Sequence, residues 1–151
     1  MAKFNVAIDT PVEPQKVLDA LLDFSDRRPD IWPGLAREFY EVYSLGETSA
    51  EVREGSSKPV KVWARERYDW STPGVVRWEV LESNFCDPGS YVQVAVRPNE
   101  GGGSHVDLEW SRTPSNAKGR ITITVMKIAG PSILKSYMTK TLGRLGQDRA
   151  A

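Results

Sequence analysis

Cysteine is almost absent from this chain. The single thiol, Cys86, has no partner for an internal disulfide, which excludes the stapled framework of a small oxidised, secreted fold. Histidine is as scarce. His105 stands alone without a Cys/His cluster around it, so a multi-histidine metal site cannot be assembled. No apolar run approaches the roughly 18 residues that would span a bilayer. Met1-Ala2-Lys3-Phe4-Asn5 leads straight into strand-like sequence, without a signal-peptide core. A basic excess is also missing. Twenty Lys/Arg and twenty Asp/Glu give a formal net charge of zero, which disfavours nucleic acid as a partner while leaving a local patch open. Internal repeats and low-complexity tracts are not found. Together these absences point to a cytoplasmic protein, with no membrane span and nothing that calls for a metal or a cofactor.

A chain of 151 residues supports one core, and a single domain over 1–151 is expected. Lys3 to Asp9 alternates, with Phe4, Val6 and Ile8 on one side: a half-buried strand. Thr10-Pro11-Val12-Glu13-Pro14 stops it, and Pro14 suits a first helical position, so a short helix starts there with Val17, Leu18, Leu21 and Leu22 inward. A second short helix or turn runs from Phe24 to Ile31 and ends at Trp32-Pro33-Gly34. Six strands follow, at about Arg37–Ser44, Thr48–Glu54, Val60–Trp70, Gly74–Glu82, Ser90–Arg97 and Ser104–Thr113, each bounded by Gly/Pro/Ser/Asp turn chemistry. Short strands with short joints make an antiparallel meander.

The remaining stretch, Ser115 to Gln147, reads as a long helix. Ile121, Val125, Ile128, Leu134, Met138, Leu142 and Leu145 recur at steps mostly of three and four, which predicts one apolar stripe. Gly130-Pro131 should kink it into two halves. Ile121 to Val125 is β-branched throughout, so a strand at 120–126 with a helix only from 131 stays open. A helix and a sheet with one apolar face each must bury those faces together. The fold class is therefore α+β: a seven-stranded, strongly curved antiparallel sheet around a long C-terminal helix, with two short helices after the first strand.

This order of elements, with Ile8-Asp9-Thr10-Pro11 leading to Val17, Leu21-Leu22-Asp23 and then Trp32-Pro33, resembles the START/SRPBCC superfamily of helix-grip proteins. That superfamily includes polyketide cyclases and lipid-transfer domains. The resemblance covers essentially the whole chain, but its motifs are structural and carry no catalytic signature. Leu18 stands where the family often has an aromatic residue, and Glu13-Pro14 lengthens the first joint, which leaves the subfamily open. The resemblance implies a deep, mostly apolar cavity between sheet and long helix. Tyr40, Tyr43, Tyr68, Tyr91, Trp78, Trp110, Met126 and Tyr137 are the pool from which its lining is drawn, because aromatic side chains offer flat apolar area and a polar tip.

Three functional readings follow. The favoured one is binding of a hydrophobic small molecule of lipid, polyketide or isoprenoid type. The second is a polyketide cyclase or aromatase, with Glu66, Tyr68 and Arg65 as candidate catalytic residues. The third is a protein-interaction adaptor whose cavity is filled by its own side chains. In the strand around Val60–Trp70, Glu66 shares a side with Val62, Ala64, Tyr68 and Trp70, so it either points into the cavity or pairs with Arg65, Arg67 or Arg77 at the surface. The glycine run before His105 is a hairpin turn, since no phosphate-loop Lys-Ser/Thr follows it. Exposed sheet edges allow a homodimer.

Overall fold

The structure, a computed structural model, describes the backbone of residues 1–150 and the side chains of residues 1–147. The elements run β1 (Ala2–Thr10), α1 (Pro14–Leu21), α2 (Arg28–Ile31), β2 (Glu41–Leu45), β3 (Ser49–Ser56), β4 (Val62–Asp69), β5 (Val75–Ser83), β6 (Tyr91–Pro98), β7 (Ser104–Arg112) and α3 (Ala117–Ala150). All seven strands form one antiparallel sheet in the order β1-β7-β6-β5-β4-β3-β2. The first strand thus closes onto the last, and the others follow as a meander. This is the α+β arrangement that the sequence predicts. β2 starts later than expected, because 37–39 forms a turn instead of strand.

Alternation sorts each strand into two faces. Val92, Val94 and Val96 of β6 and Val106, Leu108 and Trp110 of β7 are buried on the inner face. One register row crosses the sheet as Tyr68, Trp78, Val92, Trp110 and Phe4. Tyr68 stacks on Trp78 with ring centres 5.0 Å apart, and Trp110 on Phe4 at 4.8 Å. The outer face carries opposite charges across the strands, such as Arg67 opposite Glu79 and Asp69 opposite Arg77.

α3 is continuous through 120–126 and through Pro131. The strand alternative is thereby excluded, and the helix is not interrupted at Gly130-Pro131. The helix starts where it does because Asn116 Oδ1 accepts the Gly119 N–H at 2.8 Å, an N-cap, while Asn116 Nδ2 donates to the Asn84 carbonyl at 2.9 Å. Pro131 removes only the hydrogen bond to Lys127, an exposed position that water can reach.

The predicted apolar stripe is wrong in its first half. Ile121, Val125 and Ile128 are exposed, and Ile123 and Met126 turn toward the core instead. The cause is the step of six from Ile128 to Leu134. At about 100° per residue it rotates the pattern by about 240°, onto another face. From Leu134 onward the stripe is inward as expected, with Met138 and Leu142 buried.

Two close approaches clamp α3 to β1 and to the loop that follows β5. A Cβ on Gly130 would stand 3.0 Å from the Phe4 ring, and one on Gly119 only 1.9 Å from the Phe85 carbonyl oxygen. Gly119→Ala is therefore expected to lose about 2 kcal/mol, or about 4–8 °C in melting temperature, although alanine is the better helix former. Gly143, where a Cβ would meet nothing within 4 Å, provides the contrast. Gly143→Ala should be neutral or stabilising by up to about 1 kcal/mol. Thermal melts of the two variants check this, and equal melting points would contradict it.

Candidate functional site

A hollow of about 200 Å³ lies between α3 and the inner face of the sheet. The sheet supplies Tyr68, Trp78, Val92, Val94, Leu108, Trp110 and Arg112; α3 supplies Leu134, Tyr137 and Met138; the α1–α2 region closes it with Leu21, Arg28, Trp32 and Leu35. A second chamber of about 320 Å³ shares Leu35, Glu54, Trp78, Arg112 and Leu134 with the first and adds Glu66 and Phe85. The walls are mostly apolar, and two buried charge clusters break them.

The first cluster is built on Arg28, which is only 3% exposed. Its Nε donates to Glu54 Oε1 at 2.8 Å, Nη1 to the carbonyls of Leu21 (2.9 Å) and Asp23 (3.0 Å), and Nη2 to the Tyr68 hydroxyl at 3.1 Å. The Tyr68 hydroxyl in turn donates to Glu54 Oε1 at 3.0 Å. Burial works against the charge on Arg28, but Glu54 and Tyr68 outweigh it and raise its pKa. Burial, followed by the Glu54 carboxylate, also holds the Tyr68 phenol well above its usual range. Phe24 packs edge-on against Tyr68 and lies under the Arg28 guanidinium, 4.6 Å from ring centre to carbon.

The second cluster joins Glu66, 3% exposed, to Arg112. The contacts are long: 3.4 Å and 3.5 Å from the two Nη atoms to Glu66 Oε2, and 3.7 Å from Nη1 to Cys86 Sγ. Charge-assisted pairs usually close to about 2.7–2.9 Å, so this guanidinium is loosely held and can still donate to a guest. A bulge between Arg65 and Glu66, where β4 meets β5, sets the pairing of Glu66 with Val80. Burial raises the Glu66 pKa to about 7, opposed by Arg112 and reinforced by Glu54. Two phenols nearby respond in the same sense. Tyr137 is raised to about 12 by burial and then by Glu54. Tyr40 is also raised to about 12 by burial, and its buried hydroxyl has no partner among the described residues.

The aromatic pool divides accordingly. Tyr68, Trp78, Trp110 and Tyr137 line the hollow. Met126 packs against the core near Phe4 and Gly130, and Tyr40 lies in the segment before β2; neither is among the lining residues. Tyr43 and Tyr91 are on the outer face, where they sit under Arg65 (4.1 Å) and Arg77 (3.8 Å), and Tyr91 also hydrogen-bonds Glu109. Arg65 is not brought to Glu66 and Tyr68. It is one residue out of phase with them on β4, so it points outward and pairs with Glu51 at 2.8 Å. Glu66 itself takes the inward of its two alternatives. His105 lies away from the hollow, its ring nitrogens 3.2 Å from Asp9 and Asp107.

Arg28, Glu54 and Arg112 were not among the sequence candidates. Two of them were legible. Ala50, Val52 and Glu54 share a face of β3, and Leu108, Trp110 and Arg112 share a face of β7, so simple alternation points both charges inward. Arg28 sits in a four-residue helix, too short for any periodic signal.

Among solved structures the chain is similar to a START superfamily protein from Mycobacterium smegmatis (10% identity, TM-score 0.75, 97% of this chain and 99% of that one). The fold is the helix-grip fold of the START proteins. The Zhui aromatase/cyclase from a Streptomyces species matches with TM-score 0.77 at 13% identity, covering 96% of this chain and 93% of that one. A protein from Thermus thermophilus matches with TM-score 0.76 at 17% identity, covering 97% and 98%. No protein-family model and no curated sequence matches the chain. At these identities the likeness is one of fold.

The Glu66 pKa fixes a pH dependence. Below the ordinary value of 4.5 the carboxyl is protonated in both folded and unfolded chains. Between 4.5 and about 7 the unfolded chain ionises while the folded carboxyl keeps its proton, so stability from this group falls as pH rises and is level above about 7. Glu66→Gln removes this slope. Relative to the wild type, the variant should gain at most about 3 kcal/mol across the window. Denaturant titrations at pH 4.5, 6 and 8 measure it, and a pH-independent difference would contradict the assignment.

Proposed function

We propose that the chain binds a compact, mostly apolar small molecule carrying at least one acceptor oxygen, of lipid, polyketide or isoprenoid type, in the hollow beneath α3. The observation that carries this reading is an apolar chamber of about 200 Å³ with one loosely held guanidinium, Arg112, in its wall. An apolar cavity of about 150 Å³ is enough for benzene, so the inner chamber suits one or two fused rings or a short branched chain. A longer guest extends into the chamber of about 320 Å³ beside Glu66. The fold shared with a START superfamily protein and an aromatase/cyclase supports the same reading. A cytoplasmic setting goes with it, the one thiol, Cys86, being free.

A second reading, a cyclase or aromatase, is favoured by one observation. Glu66, with a pKa raised to about 7, is buried beside the chamber, a protonation balance suited to general acid–base work near neutral pH. Tyr68 is the less apt partner, because Arg28 and Glu54 already engage its hydroxyl. An adaptor with a filled cavity fits poorly with a chamber of this size.

Leu134 belongs to both chambers and is only half-buried, so Leu134→Trp should block the hollow without unfolding the protein. Native mass spectrometry of protein purified from cells is expected to show an apolar adduct that this variant loses, with an unchanged far-UV circular dichroism spectrum. An adduct retained at full occupancy in Leu134→Trp, or none in either protein, would contradict the proposal. Binding that survives Glu66→Gln and Tyr68→Phe, with no product formed, would eliminate the enzyme.

A further inference from the structure

The outward face of α3 is unlike the rest of the surface. From Ala117 to Gln147 the helix carries six basic residues (Lys118, Arg120, Lys127, Lys135, Lys140 and Arg144) and no acidic residue, in a chain whose formal net charge is zero. All six are exposed. Between them Ile121, Val125 and Ile128, spaced i, i+4, i+7, form an outward stripe that is 68%, 55% and 80% exposed, and Ile133 further along is 53% exposed. At about 100° per residue, Lys118 and Lys135 lie beside this aliphatic strip, Arg120 and Lys127 flank it about 100° further round the helix, and Lys140 and Arg144 extend the cationic surface three or more turns beyond Ile128. Helices that lie in a membrane interface combine basic residues with an apolar strip in this way.

We infer that this face of α3 docks the protein onto an anionic lipid surface. The aliphatic strip enters the headgroup boundary, and the flanking Lys and Arg side chains meet anionic headgroups. Three alternatives fit the face less well. A second copy docked through the same patch would bring Lys118, Arg120, Lys127 and Lys135 against the same four cations of its partner, and like-charge juxtaposition is strongly disfavoured. A protein partner is less apt because four of the six cations are lysine, a residue depleted at protein interfaces, and the strip lacks the aromatic anchors typical of them. Nucleic acid would engage the charges but would leave the isoleucines exposed to water. The docking face shares no residue with the hollow, so this inference and the ligand-binding proposal can fail separately.

The full chain is mixed with vesicles of phosphatidylglycerol and phosphatidylcholine, or of phosphatidylcholine alone, and sedimented. Binding is expected to the anionic vesicles at low salt, to weaken several-fold at 0.5 M salt, and to be weak on the zwitterionic ones. Lys127→Gln and Lys135→Gln should each reduce the partition coefficient by about fivefold. Val125→Gln with Ile128→Gln should reduce it at least about tenfold. These positions are exposed, so the variants should melt like the wild type. No binding to anionic vesicles at low salt, or binding that these variants leave unchanged, overturns the inference. So does a concentration-dependent dimer abolished by Ile128→Gln, or retention on DNA without vesicle binding.

Discussion

A guanidinium has no stable place inside a protein unless its protons are taken up by acceptors, and Arg28 meets that requirement with groups from three separate elements. It takes carbonyls at the end of α1 and in the turn that follows, the Glu54 carboxylate from β3 and the Tyr68 hydroxyl from β4. The helical segment that closes the hollow is therefore fastened to the sheet by a buried ionic contact as well as by apolar packing. Removing one partner of such a pair commonly costs about 3–5 kcal/mol, whereas replacing the whole set with apolar groups is often neutral. The cluster is thus a weak source of net stability and a strong geometric constraint. It fixes Trp32 and Leu35 over the chamber and keeps one wall polar.

The opposite wall follows from a different constraint. The row of Tyr68, Trp78, Trp110 and Phe4 makes a flat aromatic floor, and α3 crosses it at a distance set by glycine. Where Gly119 and Gly130 touch the sheet region, the helix sits close. Further along, the larger side chains of Leu134, Tyr137 and Met138 meet the floor less completely, and the hollow lies there. Arg112 is at the far end of β7, where its guanidinium reaches Glu66 only loosely.

Much of this fold was legible in the sequence because it rests on period-two alternation and on turn residues. All seven strands and the start of α1 at Pro14 follow from those signals, and the long helix follows from apolar residues recurring at steps of three and four. The failures have physical causes. Strand propensity over Ile121 to Val125 left a strand alternative open beside the helix, and the helix, opened by the Asn116 cap, is what forms. The apolar positions of α3 belong to two faces, one buried and one exposed, and a single stripe merged them. The site was half legible: alternation placed Trp78 and Trp110 inward and put Glu66 on one side with Tyr68 without deciding whether that side faced the cavity, and a preference for aromatic residues also drew in Tyr43 and Tyr91, whose rings instead serve arginines outside. Arg28 could not be found this way, since its role depends on three elements far apart in the chain.

The central claim is that the hollow admits an apolar guest whose oxygen is met by Arg112. A crystal structure of the protein soaked with 2-naphthol tests it most directly. The expected result places the ring system between Trp78, Trp110 and Leu134, with its hydroxyl within hydrogen-bond distance of the Arg112 guanidinium. A hollow closed by its own side chains, or naphthol bound only at the outer surface, would contradict the account.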